Sequence, residues 1–358
     1  MAPVGSLRAQ QAGPGAQALR QPACGRRGAG PGHGPRRLHP PPGGREHLGG
    51  AEQGHHRQPS RRQGRALRPG RRQGLPTPDL LRDPRRSGAH VMDTDSPVAA
   101  QAPAEYLLHL ADNALVLGQR NAEWCGHGPV LEEDLAQANM SLDLVGQARM
   151  LYDLVARRAD DGTTEDTYAY FRDAGEFRNY TLLELPHHGP LVGQARGERD
   201  YATTITRNFL YSALMAPLWR QLTASPDADL AAIAAKSLKE ATYHLRHARD
   251  WLVKLGDGTE QSHQRMQAAL EHLWPYTREF WSRSDVDAMA QALGVDAQEL
   301  QADWAALVQD GLAEATLVAP AEVDGYITQG KQGIHSEHLS YLLTDMQGLA
   351  RAHPGATW

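Results

Sequence analysis

KSLKEATYHLRHARDW, Lys236 to Trp251, places Glu240, His244 and His247 at i, i+4 and i+7 of a run free of Pro and Gly. A helix therefore stacks all three on one face. One carboxylate and two imidazoles in that arrangement make half of a metal site. Whether the other half exists depends on the remaining helices, and finding those helices also decides the fold.

Working outward, the helix containing this run extends from Asp227 to Leu255, capped by Asp227 after Pro226 and closed by Gly256. A preceding helix spans Tyr201 to Leu222, with Pro217 as an expected kink. Upstream, residues 160–199 are broken by Gly162, Gly175, Pro186, Gly189, Pro190, Gly193 and Gly197 and read as a long crossover. Before it, Ala104 to Arg120 carries Tyr106, Leu107, Leu110, Ala114, Leu115 and Leu117 at helical spacing, and Asn121 to Pro129 supplies a break. A long helix from about Val130 to Arg158 follows, with Leu131, Leu135, Ala138, Leu142, Val145 and Leu151 expected on its core stripe. At about 1.5 Å per residue it approaches 40 Å, a length suited to a bundle. Further helices are expected at 262–282, 285–293, 297–317 and 335–350, with almost no strand signal. Two helical hairpins joined by one long crossover are the connectivity of a ferritin-like four-helix bundle. The fold class is therefore all-α, a ferritin-like four-helix bundle with additional C-terminal helices.

The first 91 residues differ from the rest. They hold 17 Gly, 13 Pro and no aromatic residue, and 17 Arg against Glu46, Glu52, Asp79 and Asp83. Such a composition cannot bury a core and predicts a disordered tail. The remaining residues, 92–358, carry 20 basic and 38 acidic side chains and form the helical domain. An acidic body is a poor nucleic-acid binder, because that affinity comes largely from Lys and Arg on phosphates. The tail could be an Arg-rich arm for nucleic acid or a transit peptide, but its Pro and Gly runs suit neither an amphipathic helix nor a Ser-rich leader. The preferred reading is an upstream start codon, with Met92 beginning the protein proper. Cys24 and Cys125 fall one in each part and give no disulfide framework or zinc motif. No apolar run is long enough to span a membrane, and the expected location is cytoplasmic.

A di-iron centre in such a bundle takes a Glu from each of two helices and Glu-x-x-His from the other two. Here the helix of Lys236 to Trp251 has Glu and His four residues apart, the long second helix has Asp143 but no His, and the first offers only Glu105 and Asp112. The interior of the third has no carboxylate and carries Arg207. A cation there opposes metal binding, so Asp143, Arg207, Lys236, Glu240 and His244 are expected to form a buried polar network in place of a metal site. His187-His188 reads as a solvated loop, Glu132-Glu133-Asp134 as charge favouring a helix N-terminus, and Tyr243 as packing.

The segments DNALVLGQRNAEWCGHGPVLEEDLAQANMSLDLVGQAR, KEATYHLRHARDWL and GIHSEHLSYLLTDMQ resemble the C subunits of bacterial phenylacetyl-CoA epoxidases, from about Tyr106 to Trp358. The resemblance implies a metal-free ferritin-like subunit that supports a homologous di-iron A subunit, where the ring is epoxidised. It also implies a small B subunit and a reductase carrying FAD and an iron–sulfur cluster and using NADPH. By the same resemblance, phenylacetyl-CoA would meet this chain at Glu176, Phe177, Arg178 and Asn179 and near Ala288, Met289 and Ala290. The sequence departs from the family pattern at Arg178, and the crossover beyond Pro186 is longer than usual. For the first group, Arg178 could pair with a CoA phosphate, Phe177 could stack on adenine and Asn179 could hydrogen-bond; the plain alternative is a loop covering the bundle. The leading expectation is a non-catalytic subunit of a multicomponent monooxygenase. The alternatives are an active di-iron oxidase or oxygenase with an unusual ligand set, and a nucleic-acid binder acting through the tail.

Overall fold

The computed structural model describes residues 100–188, 199–321 and 325–356. The long segments become α1 (Ala104–Ala122), α2 (Leu131–Ala159), α5 (Tyr201–Leu222) and α6 (Ala228–Gly256), all within two residues of their expected ends. The crossover holds α3 (Glu165–Tyr170) and α4 (Thr181–Glu184), and the C-terminal part holds α7 (Glu260–Leu273), α8 (Asp285–Ala292), α9 (Ala297–Glu314) and α10 (Glu337–Ala352). Among the described residues the sole β feature is a bridge between Gln329 and Ile334. The expected tail, Met92 and Gly189 to Gly197 of the crossover lie outside the described residues.

The hairpins α1–α2 and α5–α6 pack through α2 against α6, giving the all-α, ferritin-like bundle with additional C-terminal helices. α5 is the central helix, buried over nearly its whole length despite Thr203, Thr204, Thr206, Asn208 and Ser212. It continues through Pro217 to Leu222. α6 starts at Asp227, whose carboxylate accepts from the backbone N–H groups of Asp229 and Leu230. The same carboxylate takes two bonds from Arg158 at 2.7 and 2.8 Å and one from the Ala102 N–H at 2.7 Å. Burial alone would raise its pKa, but these donors hold it down to about 2. One side chain thus joins the ends of α2 and α6 to the segment leading into α1.

Several expectations need correction. Of the stripe expected to face the core on α2, Leu131, Leu135, Leu142 and Val145 are 72, 56, 70 and 41% exposed, and Leu151 alone is fully buried. The buried face instead carries Glu133, Gln137, Met140, Ser141, Leu144 and Gln147. Both sets recur at helical spacing, and periodicity cannot say which faces inward. The polar residues decide it, because they find partners on α5 and α6. The crossover is also more ordered than a loop, with α3, a 3-10 turn at Ala174–Glu176 and α4 in sequence. The helix expected over 262–282 gives way at Trp274 to a 3-10 stretch carrying Pro275. α6 does end at Gly256, one residue past the expected Leu255: a Cβ there would lie 2.4 Å from the Ala315 carbonyl oxygen, so glycine is required where α6 meets the end of α9.

Candidate functional site

The Lys236 to Trp251 run lies on the α2–α6 seam. His244 Nε2 bonds Asp143 at 3.1 Å, and His247 Nε2 bonds Glu133 at 3.0 Å. Gln147 donates to Glu240 at 2.9 Å, and Lys236 approaches the other Glu240 oxygen at 3.8 Å. The Tyr201 hydroxyl donates to Glu133 at 2.5 Å and accepts from Gln137 at 3.1 Å. Each carboxylate of the seam is therefore bonded to a side chain from another helix. Glu133, expected to act only as helix-dipole charge, is buried and central to these contacts; only its three-dimensional position reveals this.

The network differs in membership from the expected one. Asp143, Lys236, Glu240 and His244 do meet on the seam, but Lys236 and Asp143 are partly solvated. Arg207 is elsewhere: its guanidinium donates to the Leu185 carbonyl at 2.5 Å and to His187 Nδ1 at 2.9 Å, and its Nε meets no acceptor among the described residues. Burial first, then the charge of Arg120, pulls the Arg207 pKa down to about 9. His187, expected in a solvated loop, is buried, with Nε2 2.7 Å from the Arg120 carbonyl and Nδ1 2.6 Å from the Thr204 hydroxyl. Burial and the nearby Arg207 push its pKa well down, so it serves as a neutral acceptor. Tyr243, expected in packing, is exposed on α6.

These residues do not fit an iron pair. Two irons need bridging carboxylates and imidazoles converging from all four helices. The seam's carboxylates and imidazoles come from α2 and α6 and are paired with one another, with an amide or ammonium, or with the Tyr201 hydroxyl. At the bundle centre α1 and α5 contribute Asn121, Asn208 and Ser212. Among the described residues no group of three His, Cys, Asp or Glu side chains converges on a cation position.

The residues proposed for substrate contact are brought to one side of the bundle, but not all can touch a ligand there. Phe177 and Asn179 are completely buried. The Phe177 ring lies under the Arg172 guanidinium, 4.3 Å from ring centre to Cζ, and Asn179 donates to Glu184 at 2.9 Å. Phe177 therefore cannot stack on a solvent-borne adenine without leaving the core. Glu176 and Ala288 are exposed, and Arg178, Met289 and Ala290 are half-buried. The Arg178 guanidinium is turned onto the Gly175 and Phe177 carbonyls, both at 2.8 Å. A surface groove of about 720 Å³ beside Trp274, Trp281 and Trp304 includes none of the seven.

Three buried carboxylates hold this side together. Asp112 of α1 accepts from Tyr152 at 2.5 Å, from both terminal nitrogens of Arg172, and from the Arg178 N–H at 2.8 Å. Glu184 accepts from Asn179, from His335 at 2.8 Å and from the Ser336 N–H at 2.6 Å. Glu279 accepts from the backbone of Thr181 and Lys331 and from the Thr328 hydroxyl. The segment before α10 is thereby strapped over the crossover. In the EWCGH turn, Trp124 donates to the Thr204 hydroxyl at 2.9 Å and Gly126 supplies a φ of +76°.

His335 gives this strap a pH dependence. Burial lowers its pKa, but the Glu184 carboxylate, the Phe177 carbonyl and the field of Glu279 outweigh burial and leave it raised. A raised folded-state pKa contributes stability that is complete below the unfolded value of about 6.5 and is lost as pH rises through the folded value. Urea midpoints measured from pH 6 upward should fall along this limb in the native chain, and the limb should be flattened in His335→Gln. Parallel profiles for the two proteins would refute the assignment.

A family model described as phenylacetic acid catabolic protein matches residues 89–358. The chain is 45% identical over 255 residues to the C subunit of the 1,2-phenylacetyl-CoA epoxidase of Escherichia coli (strain K12), an alignment covering 71% of this chain and 98% of that relative. The family match takes in every helix from α1 to α10 together with the seam and the strap. By both measures, this chain belongs to the phenylacetic acid catabolic protein family.

Proposed function

We propose that this chain is a non-catalytic bundle subunit of a multicomponent phenylacetyl-CoA 1,2-epoxidase, docked through α2 on a homologous subunit that carries the di-iron centre. The observation that carries the proposal is the use made of α2. Its ligand-class side chains face inward and are consumed in pairs with α6, while Leu131, Leu135, Leu142 and Val145 face outward. Large apolar residues aligned on one exposed helix face mark an interaction surface. Gly146 strengthens the case: glycine inside a helix costs about 1 kcal/mol, yet none of the described residues lies within 4 Å of a Cβ placed there. A partner helix approaching this face supplies the missing reason. The relative's name, which makes it one subunit of an epoxidase, supplies the context of further subunits.

In this reading oxygen activation belongs to the partner's irons, and electrons come from NADPH through a reductase holding FAD and an iron–sulfur cluster. A small B subunit completes a complex acting in the cytoplasm. This chain's contribution is a rigid face for the catalytic subunit. Glu176 and Arg178, with Ala288, Met289 and Ala290, form the side offered to phenylacetyl-CoA. Nucleic acid and membrane have no part in it; no helix among the described residues is long and apolar enough to cross a bilayer.

Co-expression with the homologous subunit followed by metal analysis tests the reading. The expected result is a stable complex in which iron tracks the partner, and an isolated chain without stoichiometric iron. About two irons per isolated chain would instead support an active di-iron oxygenase with an unusual ligand set. A chain that stays alone in the partner's presence would remove the docking role.

A further inference from the structure

Residues 176–179 and 288–290 lie far apart in the chain, yet one turn holds both groups. It runs from Gln329 to Ile334, bridged backbone to backbone at its ends around a 3-10 turn at Gly330–Gln332. On one side it presses on the crossover. A Cβ on Gly330 would sit 2.3 Å from the Asn179 carbonyl oxygen, and one on Gly333, whose φ is +83°, would sit 2.5 Å from that of Gly175 and 2.6 Å from the Arg178 guanidinium. Glycine is what permits so close an approach. On the other side the turn reaches α8 through Lys331. That side chain is fully buried, and its ammonium donates to the Ser282 carbonyl at 2.6 Å and to the two Asp287 oxygens at 3.1 and 3.0 Å.

Asp287 also accepts from the Ser284 N–H at 2.7 Å and its hydroxyl at 2.9 Å, closing the capping box that starts α8. The cap fixes where α8 begins but not how it leans on the body. Among the described residues α8 buries Val286 alone, so packing gives it little purchase. Replacing a buried ion pair by apolar groups is often neutral for stability. Stability therefore does not account for an ammonium at this point, whereas orientation does, because its acceptors on Ser282 and Asp287 fix α8 relative to the turn. We propose that Lys331 is a positioning residue for the acyl-CoA face, locking α8 to the turn that grips the crossover so that 176–179 and 288–290 form one rigid surface. This rests on the reading of that side given under the proposed function. Lys331 itself touches no substrate and acts through Asp287.

The test combines hydrogen exchange with steady-state kinetics on the full chain, native or Lys331→Met, assembled with the homologous catalytic subunit and its reductase. Met fills the space of the Lys stem, and Asp287, 39% exposed, is solvated once its partner is gone, so the variant keeps its fold. Amide exchange in α8 should accelerate about 10-fold while α1 and α10 exchange as in the native chain. KM for phenylacetyl-CoA should rise about 10-fold with kcat held within about twofold, the signature of binding lost equally from ground and transition states. Lys331→Gln, which keeps an N–H donor, should show the same split to a smaller degree, and it decides the matter where the Met variant does not assemble. Native exchange in α8, or faster exchange with a native KM, overturns the proposal; so does faster exchange throughout the chain with a fall in kcat. A native complex indifferent to phenylacetyl-CoA is a separate result, which sinks the functional reading and this inference together.

Discussion

Leu142→Glu should abolish stable capture of this chain by the homologous catalytic subunit while leaving its own helix content and melting temperature unchanged. Leu142 is largely solvated in the free chain, so placing a carboxylate there alters no internal packing. In the complex the same carboxylate would be buried against an apolar partner without a counter-charge. Such burial costs roughly 2–4 kcal/mol, which weakens binding about 30- to 1000-fold. Leu135→Glu, seven residues earlier on the same face, should act alike, and Gln298→Glu, exposed at the start of α9, should have no effect. Titration calorimetry or co-purification reads the difference. Native affinity in both Leu variants would move the interface to another face.

Asp112→Ala should produce the largest loss of stability. Asp112 is fully buried and accepts bonds from Tyr152, Arg172 and the Arg178 backbone. Without it, the Arg172 guanidinium, buried against Tyr152, Tyr168 and Phe177, keeps its charge and loses its counter-ion. Breaking a buried pair from one side costs roughly 3–5 kcal/mol, which for a body of this size lowers the melting temperature by on the order of 10 °C. Arg172→Met added to Asp112→Ala should recover part of the loss, since it removes the stranded charge. A change below about 1 kcal/mol in the single variant would show that the crossover is anchored elsewhere.

The helices were readable because their signals are local. Asp227 caps α6, and the apolar residues of α1 recur at one spacing. α2 defeated the same reasoning because it is amphipathic in two senses, with an outer apolar stripe beside an inner face of Glu133, Gln137 and Gln147 whose partners lie on other helices. Composition shows that ligand-class residues are present; only the fold shows that His247 spends itself on Glu133 and His244 on Asp143. Arg207 illustrates the limit most sharply. Its lack of a carboxylate on its own helix was legible, but its attachment to Leu185 and His187 depends on how the crossover returns over α5. The burial of Phe177 and Asn179 was hidden for a related reason: a loop position in sequence says nothing about burial when α3, α4 and the strap before α10 close over it.

The Asp227 carboxylate has a kinetic consequence. Each hairpin closes over a short connection, whereas the bonds from Arg158 and Ala102 to Asp227 join positions 69 and 125 residues apart. Loop closure over such separations carries an entropic penalty that only prior assembly of both hairpins offsets. The clasp is consequently a latch that shuts late, adding more to the lifetime of the assembled bundle than to the speed with which it is reached.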